Sequence, residues 1–228
     1  MPNTILRRRA ALPLAAAGTA LALVACGSDG ADSADDTAAE GTDSTVALDD
    51  LVEAPVPDEP PLLDPAELPA QPDASVPYSE FAAWAVLAGV SEHANATDPD
   101  ATAECPDLAA AGDTGTCDVT FLGLELEYPI TYVEDASGSM GVDVDYAEVP
   151  SVREVVEDFF RHSEQTEAVR CAMDDVVTVV PGEQAEYFCY KVGGPEWDPS
   201  TADEVYPYEA HVIMGGAMAF SMVLDTGE

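Results

Sequence analysis

The stretch Glu104–Phe121, ECPDLAAAGDTGTCDVTF, carries the pattern that decides the expected fold. Two cysteines, Cys105 and Cys117, bracket a short loop that leads into a strand pattern. A looser version follows at residues 171–190, CAMDDVVTVVPGEQAEYFCY, in which a glycine turn again separates two cysteines. The repetition predicts two copies of one small module, each closed by a disulfide bond.

A helix pattern precedes each of these stretches, and alternating strand patterns follow them. Residues 79–93 are apolar on nearly every side, whereas residues 152–160 place their apolar residues at the i, i+3, i+4 spacing of an amphipathic helix. The alternation after the cysteines is typical of antiparallel strands that cover one side of a core. We expect an α+β fold of two modules, 76–149 and 150–228, in which each module packs one helix on a three- to four-stranded antiparallel sheet.

The final hairpin tests the register of the second sheet. Alternation gives each of its two strands one apolar face. A two-residue turn at residues 215–216 would set Glu209 opposite Met222 and separate the two apolar faces. A three-residue loop at residues 215–217 unites them, and we expect that loop.

The four cysteines after Cys26 allow three disulfide connectivities. The symmetry of the two modules favours Cys105 with Cys117 and Cys171 with Cys189. Each bond would close a loop of about twelve to eighteen residues, and loops of that length correspond to a stabilisation of about 3 kcal/mol. The chain contains no C-x-x-C pair, so a structural role is favoured over a redox role.

Residues 1–25 have the organisation of a lipoprotein signal peptide, with three arginines followed by an apolar run. The run is too short and has the wrong flanks for a transmembrane helix. Its end, LVAC at residues 23–26, resembles a bacterial lipobox, which implies that Cys26 becomes a diacylated N-terminus. Two acyl chains anchor a protein stably, so we expect a lipid-anchored protein on the extracytoplasmic face of the cell membrane. An ordinary secretory signal cut after Ala22 or Ala25 is the alternative, and both Sec and twin-arginine export stay open.

Residues 26–75 contain no Lys or Arg and are rich in Asp, Glu, Pro and Ala. Such a composition buries too little apolar surface to offset the conformational entropy of the chain. We therefore expect an acidic, disordered tether that holds the modules away from the membrane.

The charge balance of the chain is strongly acidic, with 7 basic and 45 acidic residues. Removal of residues 1–25 takes three arginines and leaves 4 basic residues against the same 45 acidic ones, a net charge of −41. Phosphate recognition depends on clustered Lys and Arg. The composition therefore excludes nucleic-acid partners.

Two features are candidates for a binding surface. No charged residue interrupts residues 81–91, so this helix is either buried from two directions, by its own sheet and by the other module, or carries a patch that docks a partner. The loop at residues 193–204, GGPEWDPSTADE, offers a tryptophan as an anchor. The candidate surface consists of Phe81, Trp84, Leu87 and Trp197.

Motifs for catalysis or metal binding are weak in this chain. Its three histidines lie in neither a G-x-S-x-G nor an H-E-x-x-H motif. Residues 98–104 alternate like the start of a calcium loop but lack the required glycine and bidentate glutamate. Met214, Met218 and Met222 suggest thioether copper ligands, but strand alternation favours a role as core filler. We expect no catalytic residue, no metal and no cofactor.

The first cysteine stretch resembles a small domain of unknown function that is common in actinobacterial lipoproteins and membrane proteins. The matching residues are Cys105, Pro106, Asp107, Leu108, Gly115 and Cys117. The second copy keeps Cys171, Gly182 and Cys189 but has Ala172 in place of the proline. The resemblance covers most of residues 76–228 and implies no activity. The plan of tandem modules with one disulfide each is also similar to that of secreted inhibitors of β-lactamase, at the level of architecture only.

The leading hypothesis is a non-catalytic, surface-exposed lipoprotein whose tandem modules bind or scaffold an envelope protein or a small ligand. One alternative is an inhibitor or ligand-capture protein. The other is an envelope hydrolase, for which numerous carboxylates offer no distinctive acid–base pair.

Overall fold

The first helix of the chain packs on a four-stranded antiparallel sheet in the computed structural model, which describes residues 46–73, 75–134, 138–194, 203–213 and 216–223. These elements are α1 (Tyr78–Ala94), β2 (Thr102–Glu104), β3 (Thr114–Phe121), β4 (Leu124–Glu134) and β5 (Met140–Val144), and the sheet order is β2-β3-β4-β5. Every second side chain of β3 is buried from Cys117 to Phe121, as the sequence alternation predicts.

The second half of the chain contains a five-stranded antiparallel sheet and a separate two-stranded one. The elements are β6 (Val149–Val152), α2 (Arg153–Glu164), β7 (Ala168–Cys171), β8 (Val176–Val179), β9 (Gln184–Val192), β10 (Val205–Val212) and β11 (Met218–Met222). A short strand from far upstream, β1 (Val52–Glu53), completes the larger sheet in the order β1-β7-β9-β10-β11, and β6 pairs with β8. The α+β class with antiparallel sheets is therefore confirmed.

Two clusters of buried side chains form the core. The first lies between α1 and the four-stranded sheet, and its members include Tyr78, Val86, Val90, Phe121, Tyr128 and Ile130. The second lies between α2 and the five-stranded sheet, and its members include Val156, Phe160, Val169, Tyr208, Ala210 and Val212. Tyr146 packs against both clusters, and the chain from Asp43 onward forms one compact unit.

The disulfide bonds join Cys105 to Cys117 and Cys171 to Cys189, as the sequence predicts. The CPDL motif packs its proline on Gly115, where an added Cβ would come within 2.5 Å of the Pro106 ring. Asp107 accepts a hydrogen bond from the backbone N–H of Ser79 at 3.1 Å. This loop therefore holds the start of α1 as well as closing the sheet.

Residues 46–73, which we call the strap, differ from the predicted disordered tether. The strap contributes β1 to the larger sheet by pairing Val52 with Val169, and the backbone N–H of Ala54 donates to the carbonyl of Glu167 at 3.0 Å. The prediction of disorder is wrong for this part. The backbone groups of the strap form hydrogen bonds with the edge of a sheet built by another part of the chain, so the strap is ordered without a hydrophobic core of its own. The rest of the predicted tether, residues 26–45, lies outside the described residues.

The strap also reaches the C-terminal end of α1. The amide of Asn95, which ends α1 in a left-handed conformation, accepts from the N–H of Leu63 at 3.1 Å and donates to the carbonyl of Gly216 at 2.6 Å. Gly216 has φ +77° and no room for a Cβ, which would lie 2.4 Å from the carbonyl oxygen of Glu92. One side chain thus joins the strap, α1 and the last hairpin.

The register of the last hairpin unites the apolar faces through a longer loop than expected. Val212 faces Met218 and Ala210 faces Phe220, so the apolar sets share one side of the sheet. The expected three-residue loop would have paired Ala210 with Met222 instead. The register differs by two residues, which preserves the parity because side chains alternate with a period of two.

Candidate functional site

The predicted patch on α1 is partly covered by the protein itself. Phe81, Trp84 and Leu87 are all half-buried, and the rings of Phe81 and Trp84 lie 5.5 Å apart. The indole N–H of Trp84 donates to the carbonyl of Pro69 in the strap at 2.8 Å, while Leu87 packs against the first core cluster. The helix contacts its own sheet and also β6 of the second half. The apolar character of α1 is thus explained by contacts within the chain.

The other predicted site residues divide into two groups. Trp197 and the lipidation residue Cys26 lie outside the described residues. The four remaining cysteines form the two disulfide bonds already described. The four disulfide-bonded cysteines line neither of the two large cavities described below.

The acidic loop at residues 98–104 has a structural role. Asp98 accepts hydrogen bonds from the backbone N–H groups of Leu122 at 2.6 Å and Asp100 at 2.9 Å. These contacts hold the β3–β4 turn, where Leu122 and Gly123 have positive φ angles of 49° and 81°. In the described part of the chain, no three His, Cys, Asp or Glu side chains are arranged to hold a metal ion.

The three histidines have different surroundings. His93, at the end of α1, has a buried Nδ1 without a partner, and burial lowers the pKa of its ring. His162, at the end of α2, makes a 3.0 Å hydrogen bond through Nδ1 with the carbonyl of Pro57 in the strap. His211 lies 3.8 Å from Glu209 on the last hairpin. These contacts do not form a nucleophile–base pair.

A groove of about 770 Å³ lies where the strap crosses the start of α2 and the edge of β7. Arg153, Arg161 and Arg170 all line this groove, and they are three of the four basic residues found after residue 9. The fourth, Lys191, pairs with Glu164 at 2.6 Å elsewhere on the second half. We call this feature the arginine groove. It brings together three of the protein's few cations, alongside the carboxylates of Glu154, Glu157, Asp158 and Asp175.

Arg161 is buried and fully engaged at the floor of the groove. Its guanidinium lies 2.8 Å from Asp158 and 3.5 Å from Glu157 and donates to the carbonyl of Val52 at 3.3 Å. Glu157 in turn accepts from the N–H of Cys171 at 3.1 Å, where β1 no longer covers the edge of β7. The network therefore holds the strap in place through the carbonyl of Val52. It also provides a hydrogen-bond acceptor for the N–H of Cys171, which lies beyond the part of the sheet edge that the strap covers.

The other two arginines differ in their partners. Arg153 is paired with Asp175 and also donates to the carbonyl of Met173 at 3.1 Å. Arg170 is half-buried on β7, between the core residues Val169 and Cys171. Among the described residues, none accepts a hydrogen bond from the Arg170 guanidinium or forms an ion pair with it. Its five donors are available to an external acceptor.

The outer face of the first sheet has the opposite character. Glu104, Asp118 and Glu127 stand directly opposite one another on β2, β3 and β4, and all three side chains are exposed. Like charges in facing positions repel one another. A shallow cavity of about 790 Å³ lies over this face, with Glu125 and Glu148 also in its lining. No Lys or Arg lines it, since all four such residues after residue 9 belong to the second half.

The sequence carries a signal for the arginine groove that pattern analysis passes over. Glu157 and Arg161 have the i, i+4 spacing of an ion pair on a helix surface, but both side chains are buried. The informative signal is that basic residues are scarce, and three of the four after residue 9 fall between positions 153 and 170. The clustering of scarce basic residues in the sequence indicates the groove better than the spacing of any one charged pair does.

Comparisons with known proteins assign no relative to this chain. Within the described ranges, neither helix is long and apolar enough to cross a membrane. No protein-family model matches the sequence, and no curated protein or solved structure matches it significantly.

Proposed function

We propose that the protein is a non-catalytic lipoprotein of the cell envelope, anchored through a diacylated Cys26, whose folded part binds or scaffolds a partner outside the cytoplasmic membrane. The observation that carries this proposal is the sequence LVAC at residues 23–26 after a basic and apolar leader. The two disulfide bonds support it, because such bonds persist in oxidising compartments outside the cytoplasm.

The non-catalytic role rests on the chemistry of the described side chains. The histidines are separated from one another, and the buried carboxylate Glu157 is occupied by Arg161 and a backbone N–H. A hydrolase needs a nucleophile or water placed beside a base. The described residues place no such pair in either large cavity.

Metabolic labelling with an alkyne fatty acid tests the anchoring. We expect the full chain to incorporate the label and the Cys26→Ser variant to lose it. Ser33→Ala is the matched control, because it changes a nearby residue without touching Cys26 or either disulfide bond, and it should keep the label. Unlabelled wild-type protein would refute the anchor and favour an ordinary secretory signal.

We also propose that the halves of the folded part, residues 76–149 and 150–228, are tandem copies of one module of the actinobacterial type. In each half, the first strand after the helix pairs with a longer strand. A disulfide bond reaches the longer strand from the C-terminal end of the first one, since Cys105 directly follows β2 and Cys171 ends β7. An experimental structure tests this: superposition of α1 with β2–β5 on α2 with β7 and β9–β11 should align the two disulfides. Helices that cross their sheets in different directions would contradict common descent.

A ligand-capture role is the second candidate function, and the arginine groove favours it. Its volume of about 770 Å³ is within the range of small-molecule sites. A capture protein needs such a concave surface, whereas an inhibitor presents a protruding loop. Binding measurements on the groove, described below, separate capture from a purely structural scaffold.

A further inference from the structure

We propose that the arginine groove binds a small molecule that carries one carboxylate beside an apolar body, with the carboxylate paired to Arg170. This inference does not depend on the lipid anchor, because it concerns the folded part alone. It goes beyond a general binding role by naming the ligand chemistry and the residue that recognises it.

Arg170 has no carboxylate partner among the described residues. The protein has 45 acidic residues, and Arg153, Arg161 and Lys191 each have carboxylate partners. Arg170 is the exception, although its side chain is half-buried. A guanidinium presents a planar fork of donors that matches a carboxylate in a two-bond arrangement. An external carboxylate would supply the acceptors that the described part of the chain does not.

The charged residues of the groove limit the charge that a ligand can carry. Arg153 is neutralised by Asp175, and Arg161 by Glu157 and Asp158. Glu154 lies at the same groove and is exposed. The lining therefore holds three arginines and four carboxylates, so Arg170 can pair with a single negative charge, but a dianion would meet repulsion from the acidic surroundings. A monocarboxylate is therefore favoured over a phosphate.

The uncharged walls of the groove indicate the character of the rest of the ligand. The walls of the groove that are not charged are apolar, and their residues are Val52, Ala54, Pro55, Leu122, Val152 and Val176. Apolar walls around a few placed polar groups are typical of small-molecule sites. Burial of an apolar body against these residues adds affinity that acetate cannot gain.

Titration of the full chain with hexanoate, followed by the ¹⁵N-resolved side-chain N–H signals of its arginines, tests the proposal. We expect the Arg170 signal to shift and saturate at millimolar hexanoate. Acetate should bind at least about fivefold more weakly, because it lacks the apolar body. Arg170→Gln should weaken hexanoate binding by about tenfold or more, and Arg170→Lys should give an intermediate loss because it keeps the charge without the fork.

Lys191→Gln is the matched control, because it removes the same charge outside the groove. It should bind hexanoate within about twofold of the wild type. Thermal unfolding of each variant checks that it is folded. Three results would overturn the proposal: no saturable shift in the wild type, equal binding of acetate and hexanoate, or unchanged hexanoate binding by folded Arg170→Gln.

Discussion

The two sheets share a backbone arrangement but present different outer surfaces. In both halves a disulfide bond joins neighbouring strands, β2 to β3 and β7 to β9. The residue before the first cysteine and the residue after the second are Glu104 and Asp118 in the first sheet, but Arg170 and Tyr190 in the second. The next strand adds Glu127 in one case and Pro207 in the other. One row is fully acidic, and the other carries a cation between apolar groups.

The difference between the two rows indicates which half of the protein can bind a negatively charged ligand. The acidic row keeps the first sheet hydrated and repels most biological anions. The corresponding row of the second sheet begins at Arg170, which lines the arginine groove. The other basic side chains of the folded part have carboxylate partners, so we expect a negatively charged ligand to bind in the second half.

The largest expected effect concerns the cation that holds the second half together. Arg161→Met should destabilise the protein by about 3 to 5 kcal/mol, because Glu157 would be left buried and unpaired and the strap would lose a fastening. Arg153→Met is the matched control: its partner Asp175 is 84% exposed, so we expect a loss of at most about 1 kcal/mol. Urea unfolding monitored by circular dichroism gives both values. Equal losses would show that the buried network contributes nothing special.

A smaller effect with the opposite sign is expected on the acidic row. Asp118→Asn should stabilise the protein by about 0.5 to 1 kcal/mol at low salt, because Asp118 lies between Glu104 and Glu127. The gain should shrink as salt screens the repulsion. Asp143→Asn is the control, since Asp143 faces Thr131 rather than an acid. A similar gain in both variants would mean that only overall charge matters.

The smallest effect concerns the histidines that end the two helices. Burial holds the pKa of His93 below its usual value near 6.5, so the unfolded chain binds a proton more readily than the folded protein. The contribution of neutral His93 is complete above about pH 6.5 and is lost as the pH falls toward the lowered pKa. Relative to His93→Gln, the wild type should lose up to about 1 kcal/mol between pH 7 and pH 5. Urea unfolding at both pH values tests this, and a pH-independent difference between the two proteins would contradict it.

The parts of the fold that sequence predicts are those set by alternation and symmetry. Cys105 to Phe121 and its counterpart gave the correct disulfides because neighbouring antiparallel strands bring close-spaced cysteines together. The strap could not be predicted, because its contacts are made by backbone groups such as the carbonyls of Val52 and Pro69. Amino-acid composition describes side chains, and it does not indicate which backbone carbonyls will accept hydrogen bonds.

The candidate site was harder to predict than the fold. Of the three α1 residues proposed as a docking surface, Trp84 bonds to the strap and Leu87 packs against the first core cluster, and all three side chains are half-buried. The groove instead combines residues of the strap with residues of α2 and β7 that lie more than one hundred positions later in the chain. A single sequence shows the scarcity of arginine, but only the folded chain shows that these arginines converge.

The strap also imposes an order on folding. Val52 and Arg161 are 109 positions apart, and contacts of such separation are slow to form because a long loop must close first. The strap leaves the ribosome early, yet its docking place on α2 and β7 is made much later. The segment that is synthesised first therefore closes the structure last, and the new chain remains open at this edge until its second half has folded.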